Sequence, residues 1–261
     1  MSEPVLLVEK KDGIATLTLN RPKAMNALSR QLVSAIGRAF LDLKEDGKTG
    51  VVILTGAGRA FSAGIDLKEL SEKGVAERKG GTAETLDMID IIQGFDRPVI
   101  GAINGVAITG GFELALACDL LIASTEARFA DTHVRVGVLP GWGLSQKLCR
   151  MIGIGRAKEL AFTGNYLPAD QALAWGLVNR VVEPDALLPA CRALAADMLS
   201  CVPGMVPAYK RVIDQGYGMT FSEALRMEKQ ASREHARKLT ADFIAAQRQG
   251  VQERGRKQTK G

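Results

Sequence analysis

The sequence predicts an α/β fold in which buried, mostly parallel strands alternate with helices, and three observations predict it. Residues 51–56 (VVILTG), 98–104 (PVIGAIN) and 120–124 (LLIAS) are short, almost wholly apolar runs of strand length, the pattern of strands covered on both faces. Stretches with helical spacing separate them. At 261 residues, 46% of them hydrophobic, the chain is long enough to bury a sizeable core.

The elements follow in order. VLLVEK, a Lys11-Asp12-Gly13 turn and IATLTLN read as a hairpin that ends at Arg21-Pro22. Ser29 caps a helix running to about Glu45, with Leu32, Ala35, Ile36, Ala39, Phe40 and Leu43 on its apolar face. After the strand 51–56 comes the loop AGRAFSAGID, and a weaker helix spans Thr82 to Phe95. PVIGAIN leads into the glycine-rich segment NGVAITGG, and LLIAS follows Asp119. ADQALAWGLVNRVV reads as a helix and then a strand, and the residues beyond Pro184 read as several helices ending near Gln249. A boundary near residue 200 divides the chain into a core, 1–200, and a helical region, 201–261.

Composition excludes several classes. No apolar run reaches the ~18 residues that span a bilayer, and MSEPVLLVEKKDG lacks the basic and apolar segments of an export signal. Cys118, Cys149, Cys191 and Cys201 are widely spaced and form no C-x-x-C pair, so reduced thiols and a cytoplasmic location are the simplest expectation, with no zinc or redox motif. The only histidines are His133 and His235, and no metal site is expected. The net charge of +5 favours anionic ligands weakly. The 29–48 helix mixes acidic with basic residues and has no aromatic stacking set, so nucleic acid is not an expected partner.

The chemistry concentrates between Asn104 and Asp119. Glu113 directly follows Gly110-Gly111-Phe112 and precedes Leu114, Ala115, Leu116, Ala117 and Cys118, so a helix here has no polar face. A buried, unpaired carboxylate costs several kcal/mol, to order of magnitude. Either Glu113 lies in the first helical turn and is stabilised by the backbone dipole, or it is a general base facing a ligand cleft. Both glycine-containing loops, AFSAGID and NGVAITGG, follow a buried strand, and two bare N–H groups aimed at one oxygen would form an oxyanion hole. Neither loop matches the G-x-G-x-x-G dinucleotide or G-K-[ST] phosphate pattern, and no G-x-S-x-G elbow occurs.

Five ordered blocks, LNRPKAMNALS, VVILTGAGRAFSAGIDLKEL, RPVIGAINGVAITGGFELALACDLLIAS, FADTHVRVGVLPGWG and AFTGNYLPADQALAWGLVNRVV, together resemble the enoyl-CoA hydratase/isomerase (crotonase) superfamily over nearly the whole chain. The resemblance implies a spiral of β-β-α units with an α-helical C-terminal region for trimerisation, and a homotrimer or homohexamer. It implies an acyl-CoA thioester as substrate, with CoA part of the substrate and no separate cofactor. By position it implies backbone N–H donors at Ile65 and Gly110, and a CoA and substrate surface at Ala24, Ala63, Ile65, Asp66, Leu67 and Lys68. Lys68 equally fits a solvated position on a short helix.

Glu113 aligns with the family's first catalytic glutamate, whereas the second, twenty positions on, is here His133 within Asp131-Thr132-His133. His133 could replace that glutamate as an acid and base, line the pocket while Glu113 shuttles the proton alone, or turn away from the cleft. Asp131 would face the cleft with His133 only if the segment were strand-like. Trp142, expected at the start of the next helix, could shorten the acyl tunnel or serve as core. The leading expectation is a hydratase making 3-hydroxyacyl-CoA from trans-2-enoyl-CoA. The alternatives are a Δ3,Δ2-enoyl-CoA isomerase, a decarboxylase or hydrolase, and a non-catalytic acyl-CoA-binding protein.

Overall fold

A computed structural model describes residues 3–73 and 87–258. The chain forms two compact units, Met1–Pro207 and Ala208–Gly261.

In the first unit the strands form two sheets. The larger contains β1 (Leu6–Lys11), β2 (Ile14–Leu19), β3 (Val51–Gly56), β5 (Val99–Ile103), β7 (Leu120–Ser124) and β10 (Arg180–Val182), in the order β1-β2-β3-β5-β7-β10. Only the β1–β2 hairpin is antiparallel in it. The smaller sheet has the order β4-β6-β8-β9, from β4 (Ala60–Ser62), β6 (Val106–Ile108), β8 (Arg128–Ala130) and β9 (Tyr166–Pro168). Consecutive strands thus alternate between sheets: β3 then β4, β5 then β6, β7 then β8.

The apolar strands are apolar because both faces of the large sheet are covered. Val52 and Leu54 of β3 join the main core with α1 (Arg30–Glu45), α3 (Met88–Gln93), α4 (Gly110–Ala115) and α6 (Leu144–Ile152). Val51 and Ile53 face the other way, packing with Ile100, Ala102 and Ile122 against Leu187, Cys191 and Ala195 of α9 (Leu187–Leu199). Each switch between sheets brings backbones close. A Cβ on Gly105, between β5 and β6, would stand 2.1 Å from the Arg59 carbonyl oxygen, so only glycine fits there.

Ser29 caps α1 as its sequence predicts, accepting a hydrogen bond from Leu32 N. Other boundaries differ from expectation. The loops AFSAGID and NGVAITGG contain β4 and β6, strands of three residues that are too short to show a period. The helix expected over Thr82–Phe95 is described as Met88–Gln93, capped by Asp87; residues 82–86 lie outside the described residues. Helix α7 (Ile154–Thr163) precedes β9, and ADQALAWGLVNRVV forms α8 (Ala169–Ala174) and β10.

The second unit holds most of α10 (Met205–Tyr217) with α11 (Phe221–Ala236) and α12 (Ala241–Gln258). Thr220 and Glu223 form a reciprocal capping box at the start of α11. Helix α12 runs past the expected end near Gln249; the sequence beyond that point carries no hydrophobic period from which a helix could be read. Among the described residues, no helix is long and apolar enough to cross a membrane.

Candidate active site

Helix α4 is buried at every residue, and Glu113 is only 2% exposed. It lies in the first turn, as the dipole reading requires, but its side chain finds its partners elsewhere. Oε1 accepts from Trp142 N at 2.8 Å and from Leu144 N at 3.4 Å. Those amides flank Gly143, the N-cap of α6, so the carboxylate meets the positive end of a second helix. Hydrogen bonds to a charged acceptor contribute about 1.5–3 kcal/mol each. Glu113 also holds the first residues of α6 to α4.

The other oxygen, Oε2, lies 3.7 Å from His133 Nε2, a close ion-pair distance longer than a hydrogen bond. On the far side of the ring, His133 Nδ1 is 2.7 Å from Asp131 Oδ1, which also accepts from His133 N at 3.2 Å. An ionised carboxylate only accepts, so this contact puts a proton on Nδ1 and turns Nε2 towards Glu113. All three side chains are buried. Burial raises the Glu113 pKa above the ordinary carboxylate value; the Trp142 and Leu144 amides and His133 oppose that rise, and Asp131 adds to it.

The sequence left three orientations open for His133. The structure turns the ring towards Glu113, because β8 ends at Ala130 and the chain enters the short helix α5 (His133–Val136). Asp131 stands behind the ring rather than beside it. Sequence reasoning missed this buttressing part; the signal was the D-x-H spacing, in which a short carboxylate reaches both the amide and the ring two residues on.

The two glycine loops meet beside this chain of groups. A Cβ on Gly110 would stand 3.4 Å from Ile65 N, and one on Gly64 would stand 3.1 Å from Gly110 N. Among the described residues neither the Ile65 nor the Gly110 amide has a protein acceptor. Trp142 borders the same place, since its Cζ3 atom would be 3.3 Å from that Gly110 Cβ. Its indole Nε1 donates to Asp87 Oδ2 at 2.9 Å, fixing the ring between the loops and the start of α3. Helix α6 itself starts at Leu144, two residues after Trp142, because Gly143 with φ of 95° forms its cap.

The remaining sequence-selected positions lie on two neighbouring segments of the chain. Ala24 lies exposed on a 3-10 turn, Pro22–Ala24. The segment after it is pinned to the β4 loop, where Ala63 N donates to Met25 O and Leu28 N donates to Gly64 O. Asp66 pairs with Arg21 at 2.9 Å and accepts from Lys68 N and Glu69 N, which holds its carboxyl below the usual range despite burial. Leu67 and Lys68 are exposed on α2 (Leu67–Lys73). The structure therefore brings Ile65, Gly110, Glu113, His133 and Trp142 together, with Ala24, Ala63, Asp66, Leu67 and Lys68 along the strand and turn that lead to them.

Comparison with known proteins gives a consistent result. A family model described as enoyl-CoA hydratase/isomerase matches residues 9–253. The chain is 40% identical over 258 residues to a probable peroxisomal enoyl-CoA hydratase 1 of Arabidopsis thaliana, covering 98% of this chain and 96% of that protein. It is 39% identical to a short-chain-enoyl-CoA hydratase of Clostridium acetobutylicum, covering 87% of each. The crystal structure of an enoyl-CoA hydratase from Bacillus anthracis superposes with a TM-score of 0.86 at 34% identity, over 95% of this chain and 96% of that one.

The raised Glu113 pKa has a consequence for stability. A carboxyl that is harder to ionise in the folded state than in the unfolded state costs stability above its unfolded pKa, increasingly so as pH rises through the folded value. Glu113→Gln, which keeps an acceptor for Trp142 N, is therefore expected to melt at a higher temperature than the native protein at pH 7. That advantage should shrink as pH falls towards 4.5, the ordinary glutamate value; thermal melts across that range check it, and a pH-independent difference would contradict it.

Proposed function

The chain belongs to the enoyl-CoA hydratase/isomerase family, and from that premise we propose that it is an enoyl-CoA hydratase, adding water across a trans-2-enoyl-CoA to give a 3-hydroxyacyl-CoA. The observation that carries this reading is the buried Asp131–His133–Glu113 chain beside two amides that have no protein acceptor among the described residues.

The amides of Ile65 and Gly110 hold the thioester oxygen and stabilise the charge that builds on it, as donors preset for an oxyanion do. Glu113 takes a proton from water as the oxygen bonds to Cβ, and His133, entering the step as the imidazolium with protons on both ring nitrogens, gives its Nε2 proton to Cα as the enolate collapses. Glu113 has then gained one proton and His133 has lost one. Passing it back across the 3.7 Å gap restores both groups. Asp131 keeps the ring in the orientation this transfer needs. A single-base isomerase needs no such second group, so the His133 orientation favours hydration. The scheme draws on no cofactor, because CoA is part of the substrate.

Ala24, Ala63, Asp66, Leu67 and Lys68 border the CoA in this reading, and their support is the backbone bonding that pins the segment after Ala24 to the segment carrying Ala63, Ile65 and Asp66. The Trp142 ring closes the acyl side and limits the chain to a short one; its support is the indole bond to Asp87 and the approach to Gly110. A homotrimer or homohexamer is part of the same proposal, supported by Leu139 and Phe162, which are 91% and 70% exposed. A cytoplasmic location rests on the cysteine spacing alone.

With crotonyl-CoA, loss of the conjugated-thioester absorbance and appearance of 3-hydroxybutyryl-CoA are expected. Glu113→Gln should lower kcat by about 10²- to 10⁴-fold, the usual contribution of a general base. Formation of conjugated product from 3-enoyl-CoA without any hydration would establish the isomerase instead, and tight binding without turnover would leave a binding protein. Replacing Trp142 by Ala should move the kcat/KM optimum to longer enoyl-CoA chains. An unchanged chain-length profile would remove Trp142 from the acyl wall.

A further inference from the structure

Thr109 has a backbone that threonine rarely adopts. Its φ of 52° and ψ of −112° lie outside the regions open to β-branched residues. It immediately precedes Gly110 and occupies the N-cap position of α4, yet its hydroxyl makes no cap bond. The hydroxyl turns to the neighbouring strand instead. Thr109 Oγ1 hydrogen-bonds with Thr132 Oγ1 and accepts from Thr132 N at 3.2 Å, while Thr109 N donates to Ala130 O at 2.8 Å. Thr109 is buried and Thr132 half-buried, so the bond is partly shielded from water.

The positions of the two threonines give this contact its meaning. Thr109 adjoins Gly110, one of the two amides that face the thioester oxygen in the proposed reaction. Thr132 stands between Asp131 and His133. One partly buried hydroxyl pair therefore joins the strand end that aims the Gly110 amide to the turn that carries the proton-transfer group. We infer that Thr109 is a positioning residue: its hydroxyl bond to Thr132 holds the strained backbone that aims the Gly110 N–H, and sets that amide in register with His133. The inference rests on the hydratase reading for its catalytic consequence, but the aiming of the amide can be measured without turnover.

The direct experiment compares Thr109→Val, Thr109→Ser and Thr132→Val. Thr109→Val keeps the shape and removes the hydroxyl, Thr109→Ser keeps the hydroxyl, and Thr132→Val removes the Oγ1–Oγ1 bond while leaving Thr109 and its bond from Thr132 N in place. Affinities for butyryl-CoA and for its thioether counterpart S-butyl-CoA, which lacks the carbonyl, report the grip on the thioester oxygen. The native protein is expected to prefer the thioester, and both valine variants to lose about 5-fold of that preference, the scale of one neutral hydrogen bond. With crotonyl-CoA, kcat should fall by about 10- to 100-fold while KM rises by no more than about 5-fold, the pattern of a misplaced oxyanion donor. Thr109→Ser should recover both quantities. Native-like preference and kcat in folded Thr109→Val or Thr132→Val would overturn the inference, as would a native protein that binds thioester and thioether equally. Absence of hydration with a thioester preference that drops in the valine variants would instead sink the hydratase reading and leave the positioning role intact.

Discussion

The bonds from Trp142 N and Leu144 N to the Glu113 carboxylate are the interaction on which the rest of the site depends. They satisfy a carboxylate that α4 has carried out of water, and they do so with the start of another helix. Without them an ionised Glu113 would be left among Phe112, Leu114 and Ala115, at a cost of several kcal/mol to order of magnitude. The same bonds fix the backbone of Trp142, and hence the ring that borders Gly110. They leave Oε2 free to face His133, so one oxygen is structural and the other is available for chemistry.

The fold supplies these groups by repeating one step. A strand in the large sheet is followed by a short strand in the small sheet, and each short strand ends at a contributor: β4 at the loop carrying Ile65, β6 at Thr109 and Gly110, β8 at Asp131 and His133. Because β4, β6 and β8 are parallel neighbours, their ends converge on one edge. The spacing of these groups is thus set by strand register and close glycine contacts, which are stiffer than long loops. A Cβ on Gly111 would reach within 2.2 Å of Ser62 O, so the two loops can pack this tightly only with glycine there.

Much of this was legible in the sequence for physical reasons that particular residues make clear. Strands β3, β5 and β7 were readable because burial on two faces demands unbroken apolar runs, and Ser29 because a cap is a local signal. Glu113 stood out as a charge in an apolar helix. The family resemblance pointed to Ile65 and Gly110 by position alone, since a backbone role would leave no side-chain signal of its own. What stayed hidden depended on partners distant in sequence: Arg21 on Asp66, Trp142 N on Glu113, and Thr132 on Thr109. Asn104 is another such case. It accepts from Gly56 N and donates to Gly58 O, bracing the turn before β4, and reads in sequence as an ordinary loop asparagine.

The central claim is that Asp131 fixes His133 with a proton on Nδ1 so that Nε2 is the atom that exchanges protons with Glu113. The chain has only two histidines, His133 and His235, so nitrogen-15 NMR of labelled imidazoles gives a spectrum that a His235→Gln variant assigns completely. The account predicts that His133 Nδ1 is protonated at neutral pH, and that Asp131→Asn disturbs this signal while leaving His235 unchanged. A neutral His133 with its proton on Nε2 and a bare Nδ1 would contradict it.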